Sequence, residues 1–303
     1  MISQGHYGSA GRCALVLAGI ALFFTGAALI ASGRAQTSAD SLSRADDPVT
    51  QEDVRSFAET LIGKPGANRG APATPQQLEQ KAQRITASRA NAQNRTSVKL
   101  GEAELGLEPP PGHCFLDESQ PSDARLVGLL QSIFRGELRM LGAFADCSQL
   151  KSWRTGQRKT LSDYGQFLVP LGFLDKKVDG ATKPYVDTIC DTLRQNGGEL
   201  ISKSAPQVKQ RFEEALKGAK MNEVRFLGVL GQDDNACYFG LIQNIITEFG
   251  DPKTQVDVSA IAFISGKMIY INLYAVHEGD FTLGEVFERQ KANVERNLSV
   301  NGG

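Results

Sequence analysis

The sequence predicts an α+β fold: an antiparallel β-meander of four to five strands packed with helices, preceded by one N-terminal hydrophobic helix and a largely disordered linker. Three observations carry that expectation. Apolar, β-prone runs follow one another from Glu223 to Tyr274 with short turns between them. Apolar residues at helical spacing bracket those runs on both sides, and one uncharged stretch near the start stands apart from the rest.

That stretch, residues 13–30, reads CALVLAGIALFFTGAALI. At about 1.5 Å rise per residue it spans roughly 27 Å, close to the hydrocarbon thickness of a bilayer. It exceeds the usual signal-peptide core of about 7–15 residues, yet Gly33-Arg34-Ala35 supplies a small-x-small cleavage pattern just after it. Residues 1–35 are therefore read as a signal anchor or signal peptide, with the retained form preferred and the cleaved form open. A buried soluble helix would normally show a polar face, and this run has none. Arg12 precedes the segment while Arg34 and Arg44 follow it, so charge asymmetry does not fix its orientation. Cys114, Cys147, Cys190 and Cys237 all lie beyond it, an even number that permits two disulfides in three connectivities, or four free thiols. The layout predicts a cell-envelope address, in the periplasm or on the periplasmic face of the cytoplasmic membrane, with residues 13–30 as the membrane contact if uncleaved.

Residues 36–111 are rich in Ala, Gln, Asn, Arg, Ser, Thr and Pro, and Phe57 is their only aromatic. Such a composition buries too little apolar surface to offset ordering, so a mostly disordered linker is expected. Thr50 and Asp53 resemble a capping pair for a short helix over 50–62, with Val54, Phe57, Ala58, Leu61 and Ile62 at helical spacing. A more polar helix could start at Thr74-Pro75. As a flexible coil the linker would span on the order of 50 Å.

Residues 112–298 are expected to form a single globular domain, and 299–303 a disordered tail. Cys114-Phe115-Leu116 reads as a short strand. A long helix is expected from Ser122 through Leu126, Leu129, Leu130, Ile133, Leu138, Leu141 and Phe144, with a break at Gly136 an option. Tyr164 to Leu171 reads as a strand. Pro184 opens a helix that Gly197-Gly198 should end, and Ser204 with Gln207 forms a capping box for another, bearing Val208, Phe212 and Leu216. Glu223–Leu230, Cys237–Ile246, Thr254–Ile264 and Met268–Tyr274 are then strands, joined by turn sequences such as Ser265-Gly266-Lys267. Short connections force antiparallel pairing. Thr282 and Glu285 cap a last helix with Val286, Phe287, Gln290, Val294 and Leu298 on one face. Should the long helix fold back along the strand before it, Cys114 and Cys147 could pair, closing a loop worth about 3–4 kcal/mol; Cα atoms more than about 7 Å apart would forbid it.

With 33 basic against 34 acidic residues, the chain lacks the positive excess that nucleic-acid binding draws on. His113-Cys114 has no second ligand pair at zinc-site spacing. His277-Glu278 sits in a loop where a general base is conceivable, but ordinary turn chemistry explains it as well. Asp175 to Asp179 imitates the start of a calcium loop, then fails at Lys177 and Val186. Walker, G-x-S-x-G, G-x-G-x-x-G and C-x-x-C patterns are absent. Asn94-Arg-Thr and Asn297-Leu-Ser are glycosylation sequons. Tyr238-Phe239 with Tyr270 and Tyr274 could line a groove for a small apolar ligand, though cross-strand packing is the commoner role of such residues. No catalytic, cofactor-binding or metal-ligating residue is nominated.

Three stretches, GHCFLDESQPSDARLVGLL, MLGAFADCSQLKSWR and the run from VRFLGVLGQDDNACYFGLIQ to SGKMIYINLYA, together resemble exported alphaproteobacterial proteins of unknown function. The C-terminal strand order is also similar to the PsbP/Mog1-type α+β sandwich. The resemblance covers Gly112 to Leu298, implies an envelope address and carries over no functional residue. The expected function is a non-enzymatic binding or accessory domain, exported across or tethered to the cytoplasmic membrane, with an exported hydrolase acting through carboxylates or His277 as the alternative.

Overall fold

The computed structural model describes residues 94–134 and 136–302. The apolar run at 13–30 and the helices expected at 50–62 and from Thr74 lie outside the described residues. In chain order the elements are β1 (Thr96–Leu100), β2 (Ala103–Leu107), β3 (His113–Phe115), α1 (Pro121–Ile133), β4 (Leu138–Asp146), α2 (Cys147–Arg154) and β5 (Asp163–Pro170). A long helix, α3 (Lys183–Ala215), precedes β6 (Lys220–Gln232), β7 (Ala236–Ile246), β8 (Pro252–Ile264) and β9 (Lys267–Val276), and α4 (Phe281–Val300) follows them. No helix among the described residues is long and apolar enough to cross a membrane.

β6 to β9 form the expected meander. The sheet is nevertheless larger than the four to five strands expected, because β5 pairs with β9 and carries β4 and β3. The order is β3-β4-β5-β9-β8-β7-β6, and every neighbouring pair is antiparallel. β8 and β9 lie near the middle and are buried on both faces, as their nearly continuous apolar runs require. Alternation sends Val256, Val258, Ala260, Ile269, Ile271 and Leu273 to one face, where Val286 and Val294 of α4 and Leu100, Leu105 and Leu107 of the β1–β2 hairpin cover them. Ile261, Phe263, Met268 and Tyr270 point to the other face, under Val186, Ile189, Leu193, Leu200 and Ile201 of α3.

Five expectations need correction. The long helix stops at Ile133, and Gly136 adopts a left-handed φ of 86°. Residues 138–146 then pair with β5 as a strand, so the helical spacing of Leu138, Leu141 and Phe144 yields to long-range pairing. Gly197-Gly198 does not end a helix: α3 runs on, and Gly197 is needed because a Cβ there would collide with the Phe226 ring of β6. Ser204 caps nothing; its hydroxyl bonds back to the carbonyls of Leu200 (2.8 Å) and Ile201 (2.9 Å) within the same helix. The stretch read as linker up to Pro111 holds the β1–β2 hairpin, closed by Gly101 at φ 59°. Finally, the tail expected to be disordered from 299 continues α4 to Val300, and Asn301 docks on β2.

Two disulfides staple the sheet to its surroundings. Cys190–Cys237 ties α3 to β7 with Cα atoms 5.6 Å apart, and Cys114–Cys147 joins β3 to the start of α2 at 5.0 Å. The second pair meets because β3 lies against β4 (Cys114 opposite Ala145) and α2 begins just beyond. A helix folding back is not what brings them together.

α4 also replaces a missing strand neighbour for β2. The Asn297 amide accepts from the Glu108 backbone N–H and donates to its carbonyl, both at 2.9 Å. One turn on, Asn301 does the same to Gly106 at 2.9 and 2.8 Å. Two side-chain amides thus satisfy backbone groups that would otherwise be buried unpaired. Asn297 is fully buried, so its sequon offers no accessible nitrogen in the folded chain. Asn297→Ala is expected to lower stability by about 2–4 kcal/mol, read as a lower urea midpoint; an unchanged midpoint would contradict this role.

Candidate functional site

On the α1/α3 face the sheet divides into two halves. Toward the end of β5 the rows are apolar, and the first half of α3 seals them. Toward its start the rows turn polar. Tyr164, Tyr274 and Asp257 stand side by side on β5, β9 and β8, and Gln166, Asn272 and Ser259 form the next row. Gln255 faces Gln243 across β8 and β7.

The helices over this polar half do not close on it. Pro206 lies inside α3, where it supplies no backbone N–H, and no residue of α3 beyond Ser204 is fully buried. Val208, Phe212 and Leu216 form a half-buried stripe there. Leu126, Leu129, Leu130 and Ile133 form another on α1, whose only fully buried residue is Asp123. Asp123 is held by Arg154 of α2 and caps the Asp117 N–H at 2.9 Å, which pins the start of α1 beside the sheet.

Between the two stripes lies a cleft of about 300 Å³. Both helical stripes wall it, Gln166, Tyr164, Tyr274, Gln243 and Gln255 supply its polar side, and Trp153, the chain's single tryptophan, borders it. Concave, mostly apolar surfaces with a few convergent polar groups are the usual form of small-molecule sites.

The polar side is a hydrogen-bonded network with a gap. Gln166 Nε2 donates to the Tyr274 hydroxyl (3.3 Å), Gln255 Nε2 donates to Gln243 Oε1 (3.0 Å), and the Tyr164 ring stacks on Tyr274 at 4.8 Å. Ser259 Oγ donates to Asp257 and lies 3.0 Å from Asn272 Oδ1. Gln166 is only 1% exposed, yet its Oε1 has no partner among the described residues; an acceptor left so costs about 1–3 kcal/mol. Burial pushes the Asp257 carboxyl up to about 7, against hydrogen bonds from Ser259 and Tyr274 that pull it down. Burial likewise pushes the Tyr164 hydroxyl up to about 12. At the rim, Lys253 Nζ donates to Thr160 Oγ1 at 2.5 Å, and burial together with Arg158 lowers its affinity for the proton. Lys159 sits 5.1 Å from the centre of the half-exposed Phe249 ring.

Residues singled out in the sequence fall mostly elsewhere. His113 is buried, with Nε2 2.9 Å from Asp163, which also takes two hydrogen bonds from Arg289 of α4. Burial pushes the Asp163 carboxyl up, but those hydrogen bonds and the guanidinium charge outweigh it and hold it well below the usual carboxylate range. This cluster fastens β3, β5 and α4 together. His277 follows β9 outside the cleft lining, and Asp233 orders the β6–β7 turn through the Asn235 and Ala236 N–H groups. Tyr238 points to the opposite face, against Phe287; of the four aromatics only Tyr274 lines the cleft. Gln255, Asp257 and Ser259 were readable as polar residues at i, i+2, i+4 in an otherwise apolar strand, a signal that sequence reasoning passed over. No protein-family model matches the chain, and no curated protein matches it.

Asp257 gives the site a pH signature. Its folded value lies above the unfolded one of about 3.9, so between about pH 4 and 7 the folded chain keeps a proton that the unfolded chain releases. Stability should fall as pH rises through that window and level off above it, by on the order of 4 kcal/mol. Asp163 acts in the opposite sense, below about pH 4. Urea unfolding from pH 4.5 to 8 should show the decline in the parent chain and its absence in Asp257→Asn; equal slopes in both would contradict the assignment.

Proposed function

We propose that the domain binds a small amphipathic molecule in the cleft between α1 and the second half of α3, and does so outside the cytoplasmic membrane. The observation that carries the binding reading is the pair of apolar helical stripes facing a void above hydrogen-bonding amides and phenols, where a sealed core would be expected. The envelope address is supported by the uncharged run 13–30, by the resemblance to exported alphaproteobacterial proteins, and by the pairing of all four cysteines of the domain, which suits an oxidising compartment. On this reading residues 1–35 deliver or anchor the chain, and the domain samples ligand at the membrane surface.

An exported hydrolase is the second reading, favoured by one contact: the Thr160 hydroxyl accepts from a lysine whose proton affinity is lowered. Hydroxyl–lysine pairs can serve as nucleophile and base. Asp257, the cleft's nearest buried carboxyl, lies behind the lining and does not complete such a pair.

The hydrocarbon dye 1,6-diphenylhexatriene reports on the site directly. Saturable, one-to-one emission enhancement is expected for the parent chain, weakened at least about tenfold by Leu129→Trp or Phe212→Trp, which fill the void (about 1.4 kcal/mol). No enhancement, or equal enhancement in the filled variants, would remove the binding reading. Turnover of p-nitrophenyl octanoate that Thr160→Ala abolishes would favour the hydrolase.

A further inference from the structure

The cleft's polar side is selective in a way that specifies its ligand. Gln166 is almost completely buried and lines the cleft, and its carboxamide is tied down at one end only: Nε2 donates to Tyr274 while Oε1 has no partner among the described residues. The single Tyr274 proton goes to Asp257, so the Tyr274 oxygen takes the Gln166 N–H and the amide keeps Oε1 as the acceptor it offers the cleft. The group that completes it must donate a hydrogen bond. A hydroxyl does so without carrying a charge.

Charged groups fit less well. Arg125, Lys159 and Lys253 also line the cleft, but the Gln166 amide is bonded to Tyr274, so a carboxylate brought to Gln166 would face an acceptor oxygen, with Asp257 behind Tyr274 in the adjoining row. An ammonium at Gln166 gains no direct carboxylate, since Glu248, which lines the cleft, is an exposed residue beside Phe249, and Asp257 is outside the lining and already takes hydrogen bonds from Ser259 and Tyr274. Lys159 lies beside Phe249, and Lys253, two residues before Gln255 on β8, is engaged with Thr160 at the end of the row away from Gln166.

We infer that the ligand is an uncharged apolar molecule bearing a hydroxyl, which seats against Gln166 while its hydrocarbon body lies between the Leu126–Ile133 and Val208–Leu216 stripes. This rests on the ligand-binding reading above. The class comprises alcohols with an aliphatic or aromatic body small enough for about 300 Å³. Gln166 is the specificity-determining residue, and the helices supply affinity without discrimination.

The test compares three probes with one chain length and different heads, 1-octanol, octanoate and octylammonium, on the full chain at pH 8. Displacement of diphenylhexatriene and the emission of Trp153, which borders the cleft, provide two readouts. Octanol is expected to bind at least about tenfold more tightly than either ion. Gln166→Leu should weaken octanol about tenfold while leaving diphenylhexatriene binding intact, since the hydrocarbon makes no hydrogen bond. Octanoate binding best would assign recognition to Arg125, Lys159 or Lys253, and octylammonium binding best would assign it to Glu248 or Asp257; either overturns the proposal. So does octanol affinity that Gln166→Leu leaves unchanged, because a trapped water would then be the partner of Oε1. Should Gln166→Leu fail to fold, the preference among the three heads in the parent chain still decides. If diphenylhexatriene itself does not bind the parent chain, the binding reading fails and this one with it; if it binds and the heads are not distinguished, only the hydroxyl assignment falls.

Discussion

The structure depends on one constraint: β8 and β9 are covered on both faces, so each side chain on them must find its partners within the protein. On the α4 side the solution is apolar apart from the buried Lys267, whose Nζ donates to the Leu174 carbonyl. On the α1/α3 side it changes partway along the strands, from Ile261, Phe263, Met268 and Tyr270 to Gln255, Asp257, Ser259, Asn272 and Tyr274. A helix gains by lying on the first set and little by lying on the second. The sheet therefore decides where the helices can seal it, and the cleft marks where they do not.

The helices are adapted to the same boundary. α3 is anchored on the apolar half by the Cys190–Cys237 bridge and by the close approach that Gly197 allows over Phe226. Beyond Ser204 and Pro206 the helix is held by the Arg211–Glu137 ion pair and by Glu213 on the Met221 N–H, and it offers Val208, Phe212 and Leu216 to the void. α1 is fixed near its first turn by Asp123 and Arg154, and near its last by Gln131, whose side chain bonds the Leu138 carbonyl and Met140 N–H of β4. Held at both ends, α1 presents its leucines to the cleft without pressing them into a core. The far side of the sheet is stitched to α4 and the hairpin by Gln290, Asn297 and Asn301.

Much of this was legible in the sequence, for identifiable reasons. The β6–β9 meander and α4 were readable because period-two and helical patterns there are separated by turn residues. The β1–β2 hairpin was missed although Val98, Leu100, Leu105 and Leu107 alternate with polar residues around Gly101-Glu102; its polar surroundings hid it. β4 was misread because Leu138, Leu141 and Phe144 fit a helix as well as a strand, and only pairing with β5 decides. The cleft was the least legible feature. Its lining comes from α1, α2, α3 and six strands, so no local motif announces it, and the register that aligns Gln166 with Asn272 and Ser259 is a property of the folded sheet.

The claim that the polar half of this face leaves an accessible void is tested most directly by methyl NMR under xenon, which enters apolar cavities without needing any hydrogen bond. The methyl groups of Leu126, Leu129, Ile133, Val208 and Ile245, which line the cleft, should shift together and saturably, while Val286 and Val294 on the α4 side stay still. Shifts that are absent, or that spread equally through both faces of the sheet, would show that the two helices close on it after all.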